Sequence, residues 1–339
     1  MGNLSTYDGI ASHVLKSVDL SPLANKTVMV TGASGLLGSH IVNILTKAAP
    51  IYNLHIMAVV QTRLHPEQEP SDRLQVAYAN LGNPADCERL PFADVVISAA
   101  SYAQPKRFLA EPLGALRSSG LGILALLERV RVGGKMLYIS SSEVYCDGDP
   151  ATEKGFTENE IGTITPYHPR ACYIVGKQFG EAMTYLYRNR GISTVSVRPG
   201  ITYGPGFRRG DQRSWAEFVQ RAIESNRLEL MDAGTVQRTF CYITDGMEML
   251  FKALCYGRHP VYNLSGVHTH TIAHLGEMVA KACNAELIIP PGGEGVGGTP
   301  DNLRMDNSRI VNEFGKTQFI DTQIGIDATV EWARKALYA

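Results

Sequence analysis

A glycine-rich turn near the start of the chain limits the folds that this sequence can adopt. The β-branched run from Thr27 to Thr31 is followed by three closely spaced glycines, Gly32, Gly35 and Gly38, and then by apolar residues at helical spacing. A strand that enters a helix through such a turn needs a sharp bend first and close helix packing afterwards. This order predicts the first βα unit of a parallel sheet.

The alternation continues through the first half of the chain. Short apolar runs predict strands at residues 27–30, 54–60, 74–78, 95–99, 136–140 and 194–198. Helical patterns lie between them at residues 36–48, 120–130 and 173–189. Alternating strands and helices are typical of α/β proteins with helices on both faces of the sheet. We therefore expect an α/β fold of the Rossmann type, with a doubly wound parallel sheet.

The glycine turn (residues 32–38) also has the chemistry of an anion site. Gly32 permits the bend, Gly35 lets backbone amides approach a pyrophosphate, and Gly38 lets the helix pack with its N-terminus facing the anion. The turn is therefore predicted to bind a dinucleotide. The residues expected to contact it there are Gly32, Ser34, Gly35, Leu36, Leu37 and Gly38.

The adenosine end of that dinucleotide is expected after the second and third strands. The second strand ends in Gln61-Thr62-Arg63, where an NAD enzyme usually offers Asp or Glu to the ribose hydroxyls. Arg63 could accept a 2′-phosphate, which favours NADP, and a solvated surface arginine explains it equally well. Asn80 and Leu81 are expected beside the adenine. The expected cofactor is NAD, with NADP left open.

The chain divides into three regions. Residues 1–26 predict an N-terminal helical extension that is an appendage to the core. Residues 27–203, with a returning segment at about 238–264, predict the dinucleotide-binding Rossmann domain. Loops rich in Gly, Pro and Arg follow, and they indicate a smaller α/β substrate-binding domain at residues 204–237 and 265–339.

Composition excludes several classes of partner. The formal net charge of −1 and pI of about 6.8 do not suggest a nucleic-acid binder. No apolar run approaches membrane-spanning length, and six scattered cysteines without a CxxC pair indicate reduced thiols, so we expect a cytoplasmic protein with no membrane partner. His268, His270 and His274 lie close together without Glu or Cys at ligand spacing, and no metal is expected.

A tyrosine and a lysine on one helix face are the candidate catalytic pair. Tyr173 and Lys177 are one turn apart, and a neighbouring ammonium, helped by the nicotinamide cation, lowers the pKa of a phenol. Tyr173 can then take a hydroxyl proton as hydride leaves the same carbon, while Lys177 holds the nicotinamide ribose. The preceding strand ends in Ser141-Ser142-Glu143, at the sheet edge where ligands bind, and a hydroxyl there can align the reacting oxygen.

These motifs together resemble the extended short-chain dehydrogenases, the NAD-dependent nucleotide-sugar epimerase/dehydratase family, from about Lys26 to near the C-terminus. Segments 196–205 and 238–245 are further matches. The resemblance implies a nucleotide-sugar substrate held by Ser142, Tyr173, Arg213 and Arg238, and it places Ala99 in the cofactor site. It also implies a homodimer, because helices 120–130 and 173–189 correspond to the family's four-helix interface.

Within this family, segments 99–105, 141–145 and 169–173 look most like UDP-glucuronate decarboxylases. The resemblance implies oxidation at C4 of the sugar, loss of the carboxylate and return of the hydride. A 4,6-dehydratase carries Asp where this chain has Ser142, and a 4-epimerase usually has a smaller residue in place of Glu143. A 4-dehydrogenase or reductase would keep the same core residues. A non-catalytic dinucleotide-binding scaffold would typically lose the tyrosine or the lysine, and both are present.

Overall fold

The computed structural model describes residues 3–146, 148, 150–292 and 302–339. Within those residues the strands, in chain order, are β1 Thr27–Thr31, β2 His55–Val60, β3 Leu74–Tyr78, β4 Ala93–Ser98, β5 Val130–Ile139, β6 Ser193–Pro199, β7 Ile201–Tyr203, β8 Arg227–Glu229, β9 Gln237–Tyr242, β10 Val261–Leu264, β11 His268–Thr271, β12 Glu286–Ile288 and β13 Asn302–Leu303.

Helices alternate with these strands as the sequence predicts. They are α1 Tyr7–Ser17, α2 Leu36–Tyr52, α3 Pro84–Glu88, α4 Pro105–Ala110, α5 Pro112–Ser119, α6 Leu121–Leu127, α7 Ala171–Tyr187, α8 Ser214–Ser225, α9 Ile243–Tyr256, α10 Ile272–Cys283, α11 Ser308–Phe314 and α12 Thr322–Leu337.

Seven strands form the central sheet, in the order β3-β2-β1-β4-β5-β6-β10, and every neighbouring pair is parallel. Helices cover both faces. Val28 and Val30 of β1 point to the face packed by α2, whereas Met29 points to the face packed by α6. This is the doubly wound Rossmann arrangement that the sequence predicts.

The N-terminal helix α1 differs from the expected appendage. Ile10, Ala11 and Val14 are fully buried in the main hydrophobic core, where α1 packs on α2 and α9. The Tyr7 hydroxyl, at the start of α1, shares a 2.8 Å hydrogen bond with the Ser39 hydroxyl. The Tyr7 ring stacks on the His40 ring, with the ring centres 4.1 Å apart. The apolar face of α1 is therefore covered by the sheet-flanking helices and forms part of the core.

One boundary in the middle of the chain also moves. The helix expected at residues 120–130 ends at Leu127, and the strand expected from Met136 already begins at Val130. Ala93 of β4 pairs with Val130, and a register shift then brings Val95 opposite Lys135. The added residues, 130–135, interrupt two valines with Arg131, Gly133, Gly134 and Lys135, so they do not form the continuous apolar run that predicts a buried strand.

A smaller unit lies beyond the central sheet. β9 pairs with β11, β13 and β7, and β8 pairs with β12. β7 begins only two residues after β6 ends, and the chain later returns through α9 to β10 in the central sheet. The smaller sheet is therefore attached at the carboxyl ends of the parallel strands. Within the described residues, no helix is long and apolar enough to cross a membrane.

Candidate active site

The strand order creates a crevice at one edge of the central sheet. The chain runs outward from β1 to β2 and β3 on one side, and from β4 to β10 on the other, so the connections diverge between β1 and β4. Ligands bind at such a switch point, at the carboxyl ends of the strands. The glycine turn follows β1, Ala99 follows β4 and Ser140 follows β5, which places all three at this edge.

The glycine turn has little room for side chains. Gly32 has φ of +64°, and a Cβ atom there would lie 2.6 Å from the Ala100 backbone. A Cβ on Gly38 would overlap the carbonyl oxygen of Gly32. α2 begins at Leu36 with no side-chain cap on its N-terminus. The first backbone amides of the helix, including that of Leu37, lack intrahelical partners, and the turn therefore fits an anionic pyrophosphate.

At the end of β3, Asn80 forms a tight local turn. The Oδ1 atom of Asn80 accepts a hydrogen bond from the Gly82 backbone amide at 3.0 Å. The backbone amide of Asn80 donates to the Asp86 carboxylate at 3.0 Å. Leu81 is buried, and Gly122 is the neighbour that gives it room. Both residues thus lie at the crevice edge of the third strand.

Tyr173 lies in the first turn of α7, buried, with its ring stacked on Phe108 at 4.8 Å and 11°. Lys177 follows one turn later on the same face. Its Nζ atom lies 5.7 Å from the centre of the Tyr173 ring and donates to the Ile139 carbonyl at 2.7 Å. The structure therefore brings the predicted pair together at the end of β5.

The pKa of Tyr173 differs in direction from the sequence-based expectation. Burial raises the pKa of Tyr173 to about 12 and the charge of Glu143 adds to this effect, whereas Ser141, Ser101 and Arg170 act in the opposite direction. Lys177 is itself buried and directs its ammonium to the Ile139 carbonyl.

Lys177 has a strongly perturbed ammonium. Burial lowers the pKa of Lys177 to about 7, and the nearby Glu181 carboxylate raises it. Glu181 is held by Arg198, whose guanidinium donates to its two carboxylate oxygens at 2.9 and 2.7 Å. The sequence analysis did not single out Glu181, although it follows Lys177 by one further helical turn.

An ion pair lies beside the tyrosine. Arg170 Nη2 is 2.6 Å from Glu143 Oε1, and the Arg170 guanidinium lies over the Phe108 ring at 5.2 Å. Arg170 is buried, and Glu143 is about one quarter exposed. Among the described residues, Glu143 Oε2 and Arg170 Nε are buried without a hydrogen-bond partner. The pair therefore keeps one acceptor and one donor available. Sequence reasoning quoted Arg170 in a motif but assigned it no function.

The serines at this edge have different environments. Ser141 caps the short 3-10 helix Ser142–Tyr145 by accepting from the Glu143 amide at 3.2 Å. Ser142 is buried at the start of that helix. Ser98 Oγ and Ser140 Oγ are buried and, within the described chain, have no hydrogen-bond partner. Unpartnered polar atoms are therefore concentrated where β4 and β5 end.

The two predicted substrate arginines lie in the smaller unit. Arg213 donates through Nε to Asp211 at 3.0 Å, and its guanidinium lies over Trp215 at 5.0 Å. Arg238 is a buried residue of β9 that donates to the Gln237 carbonyl at 2.7 Å. Arg213 therefore directly precedes α8 and Arg238 belongs to β9, both in the smaller unit, whereas Tyr173 belongs to α7 beside the central sheet.

The Glu277 carboxylate lies beside the histidine group His268, His270 and His274. His270 and His274 have ring centres 5.0 Å apart, and His274 pairs with Glu277 at 2.9 Å. In the residues for which placement is described, no group of three or more His, Cys, Asp or Glu side chains is arranged to hold a metal ion.

Comparison with protein families gives a match over residues 28–265 to the NAD dependent epimerase/dehydratase family. The chain belongs to this family. The family is NAD dependent, and the glycine turn described above has the close packing that a dinucleotide site requires.

Curated relatives include two kinds of enzyme. UDP-glucuronic acid decarboxylase 1 of Xenopus tropicalis is 25% identical over 331 residues, which are 94% of this chain and 74% of the relative. A dTDP-4-dehydro-6-deoxy-D-allose reductase of Streptomyces bikiniensis is 26% identical over 334 residues, covering 92% of this chain and 97% of the relative. The chain is similar to both along nearly its whole length.

Solved structures agree on the fold. UDP-glucose 4-epimerase of Thermotoga maritima with UDP-glucose aligns with a TM-score of 0.78 at 20% identity, covering 92% of this chain and 99% of the other. The dTDP-glucose 4,6-dehydratase of Streptomyces venezuelae with NAD aligns with a TM-score of 0.77 at 20% identity, covering 91% and 97%. At this identity the alignments establish the architecture.

Proposed function

We propose that the chain is an enzyme that oxidises a nucleotide-linked sugar at C4 and decarboxylates it, with UDP-glucuronate as the substrate. The observation that carries the proposal is the Glu143–Arg170 ion pair beside Tyr173, in which Glu143 Oε2 and Arg170 Nε are buried without a hydrogen-bond partner among the described residues. The similarity to UDP-glucuronic acid decarboxylases along the chain supports it.

The cofactor residues proposed are those of the crevice edge. The glycine turn holds the pyrophosphate through Gly32, Ser34, Gly35, Leu36, Leu37 and Gly38. Arg63, Asn80 and Leu81 border the adenosine, Ala99 borders the middle of the dinucleotide, and Tyr173 with Lys177 borders the nicotinamide ribose. When bound, the nicotinamide of the dinucleotide would accept the hydride from C4 of the sugar and later return it.

Tyr173 is proposed to take the proton of the C4 hydroxyl. Its raised pKa keeps the phenol neutral at rest, so a nearby positive charge is needed before it can act as a base. The Ser141 hydroxyl lies beside the phenol and lowers its pKa, which also suits it to hold the C4 oxygen. Ser142 completes this wall of the sugar site. Tyr173 returns the proton when C4 is reduced again.

Decarboxylation follows from the C4 ketone. The C5–C6 bond breaks, its electron pair moves into the C4 carbonyl, and a proton must then be delivered to C5. A β-keto acid loses carbon dioxide readily, so the enzyme needs mainly to position the carboxylate. Arg170 offsets the charge of Glu143 where a second carboxylate must enter. The proton for C5 comes from solvent, and the Glu143 carboxylate is placed to orient the water molecule that delivers it.

Arg213 and Arg238 are proposed to bind the nucleotide diphosphate. Guanidinium groups match phosphate oxygens through paired donors. Asp211 fixes the orientation of Arg213, and β-sheet packing fixes that of Arg238. These residues lie in the unit attached at the carboxyl edge, opposite the cofactor.

A second candidate is a nucleotide-sugar 4-reductase. The similarity to a dTDP-sugar reductase over 97% of its length favours this alternative. Both reactions use Tyr173 and Lys177, and they differ in whether the sugar carries a carboxylate.

The test is to incubate the purified protein with NAD or NADP and a panel of UDP-, GDP-, dTDP- and CDP-sugars, and to follow the products by NMR. Carbon dioxide and a UDP-pentose from UDP-glucuronate are expected. A dehydrated or epimerised sugar, or net reduction of a ketosugar without decarboxylation, would overturn the decarboxylase assignment. Tyr173→Phe that retains full turnover would remove the proposed catalytic site.

We also propose a homodimer formed through α5 and α7, which pack side by side. Exposed apolar residues continue across them, namely Leu113, Leu116, Val175, Phe179 and Leu186. The core residues of α6 are buried, so α5 replaces the helix expected from the sequence. Sedimentation should show a dimer that Phe179→Asp converts to a monomer. Six cysteines scattered along the sequence without a CxxC pair fit the cytoplasmic location that we propose.

A further inference from the structure

Three arginines converge at the adenosine end of the crevice. Arg63 follows β2, Arg107 lies on α4, and Arg208 lies on the loop after β7. All three are exposed. The position that would offer an acid to the ribose hydroxyls is occupied by Gln61, the first residue after β2. We call Arg63, Arg107 and Arg208 the arginine cluster.

Arg208 is fixed against the glycine turn. Its guanidinium donates to the Ser34 carbonyl at 3.0 Å. Two histidines hold the loop that carries Arg208 by hydrogen bonds to its backbone. The Pro205 carbonyl lies 2.8 Å from His40 Nε2, and the Gly206 carbonyl lies 3.3 Å from His65 Nε2. The smaller unit therefore contributes a cation to the cofactor edge of the central sheet.

Arg107 reaches the same place from the other side. It donates to the Gln61 side-chain oxygen at 3.4 Å, and its guanidinium lies over the Tyr102 ring at 4.5 Å. These two contacts direct the cation toward the end of β2. Gln61, at the position where an acid would bind the ribose hydroxyls, is thus held by Arg107.

The positive charges of the cluster are not balanced within the described chain. None of the three arginines forms an ion pair with a carboxylate there. Partial burial lowers the pKa of Arg208, the charge of Arg63 lowers it further, and that of Arg107 contributes in the same direction. Three like charges that converge beside a dinucleotide turn favour a bound anion.

We propose that the arginine cluster is a binding subsite for the phosphate monoester on the adenosine 2′-oxygen, so that this chain binds NADP(H) more tightly than NAD(H). The inference rests on the dinucleotide site of the proposed function. A 2′-phosphate at the end of β2 would meet Arg63 directly, Arg208 beside Ser34, and Arg107 beside Gln61. Planar guanidinium groups bind phosphate oxygens in pairs, which makes arginine suited to this task.

The experiment titrates the protein with NADH and NADPH and follows the nicotinamide fluorescence, after removal of any copurified dinucleotide. Arg63→Gln and Arg208→Gln are compared with Arg190→Gln, an exposed arginine at the far end of α7. Competition by adenosine 2′,5′-bisphosphate and by 5′-AMP isolates the 2′-phosphate. None of these measurements requires the sugar substrate.

We expect NADPH to bind at least about tenfold more tightly than NADH, because charge-assisted hydrogen bonds to one phosphate contribute this much. Arg63→Gln and Arg208→Gln should remove most of that preference, and Arg190→Gln should leave it intact. Equal or tighter binding of NADH, or a preference that survives both substitutions, would overturn the proposal. Failure of both dinucleotides to bind would overturn the dinucleotide site itself, which is a different result.

Discussion

The two ends of the crevice differ in whether their charged side chains have partners within the protein. Around Tyr173, Glu143 is paired with Arg170 at 2.6 Å and Lys177 donates to a buried carbonyl. At the adenosine end, the arginine cluster is exposed and lacks carboxylate partners among the described residues. The first end is preorganised by the protein itself, and the second is arranged so that a ligand completes it.

This contrast follows from what each end must do. A buried, unpaired carboxylate is strongly destabilising, so a reactive one is held by a cation. An exposed guanidinium remains hydrated and destabilises the fold little without a partner, so it stays available to bind a phosphate. The chemical end should therefore respond to substitutions in stability and rate, and the adenosine end in ligand affinity.

The largest expected effect is on turnover at the chemical end. Tyr173→Phe removes the proton acceptor, and general acid–base catalysis contributes roughly 10²- to 10⁴-fold. Product formation from UDP-glucuronate, followed by NMR, should fall by about that factor. The matched substitution Arg63→Gln should leave kcat at saturating cofactor near the wild-type value. Comparable losses of kcat in both variants would break the comparison.

A second effect is on stability. Arg170→Met leaves the partly buried Glu143 without its partner, and we expect a loss of about 3 kcal/mol in the free energy of unfolding. Arg63→Gln should change it by less than about 0.5 kcal/mol. Urea denaturation measures both values. A stable Arg170→Met protein would mean that the ion pair is not needed to hold Glu143.

A third effect separates the ends by ionic strength. Raising salt from about 0.01 M to about 1 M shortens the screening length from about 30 Å to about 3 Å. Affinity for NADPH should fall on the order of tenfold because its phosphate meets exposed cations, while affinity for NADH should fall less. Fluorescence titrations at each salt concentration give the ratio. An unchanged ratio would argue that the arginines do not contact the 2′-phosphate.

The fourth effect is a shift in pH dependence. Glu143 raises and Arg170 lowers the pKa of Tyr173, and the deprotonated phenol is the active base. The rate of hydride transfer rises with pH as the phenol loses its proton. This rise should therefore move to higher pH in Arg170→Met and to lower pH in Glu143→Gln. Single-turnover reduction of the cofactor at several pH values measures this rise. Shifts in the same direction would contradict the electrostatic account.

Local patterns predicted the parts of the site that depend on local spacing. The glycine turn and the Tyr173/Lys177 pair are set by neighbours within one or two helical turns, and the structure places each of them at the predicted edge. The alternation of apolar runs likewise predicted the parallel sheet, because strands buried on both faces need continuous hydrophobic segments.

Other features depend on contacts between distant segments. Arg170 precedes α7, but its partner Glu143 comes from the 3-10 helix that follows β5. The place of Arg208 at the cofactor edge is shown only by its contact with Ser34, which lies 174 residues away in the sequence. The amphipathic spacing of α1 gave its apolar face but not the surface between α2 and α9 that covers it. Sequence spacing does not encode such pairings directly.

The most direct test of the account uses UDP-glucuronate deuterated at C4. If Tyr173 takes the hydroxyl proton while hydride moves to the cofactor and back, mass spectrometry should show a UDP-pentose that has lost carbon dioxide and still carries deuterium at C4. Tyr173→Phe should give no such product. Loss of carbon dioxide with deuterium exchanged to solvent, or a product that keeps its carboxylate, would contradict the central claim.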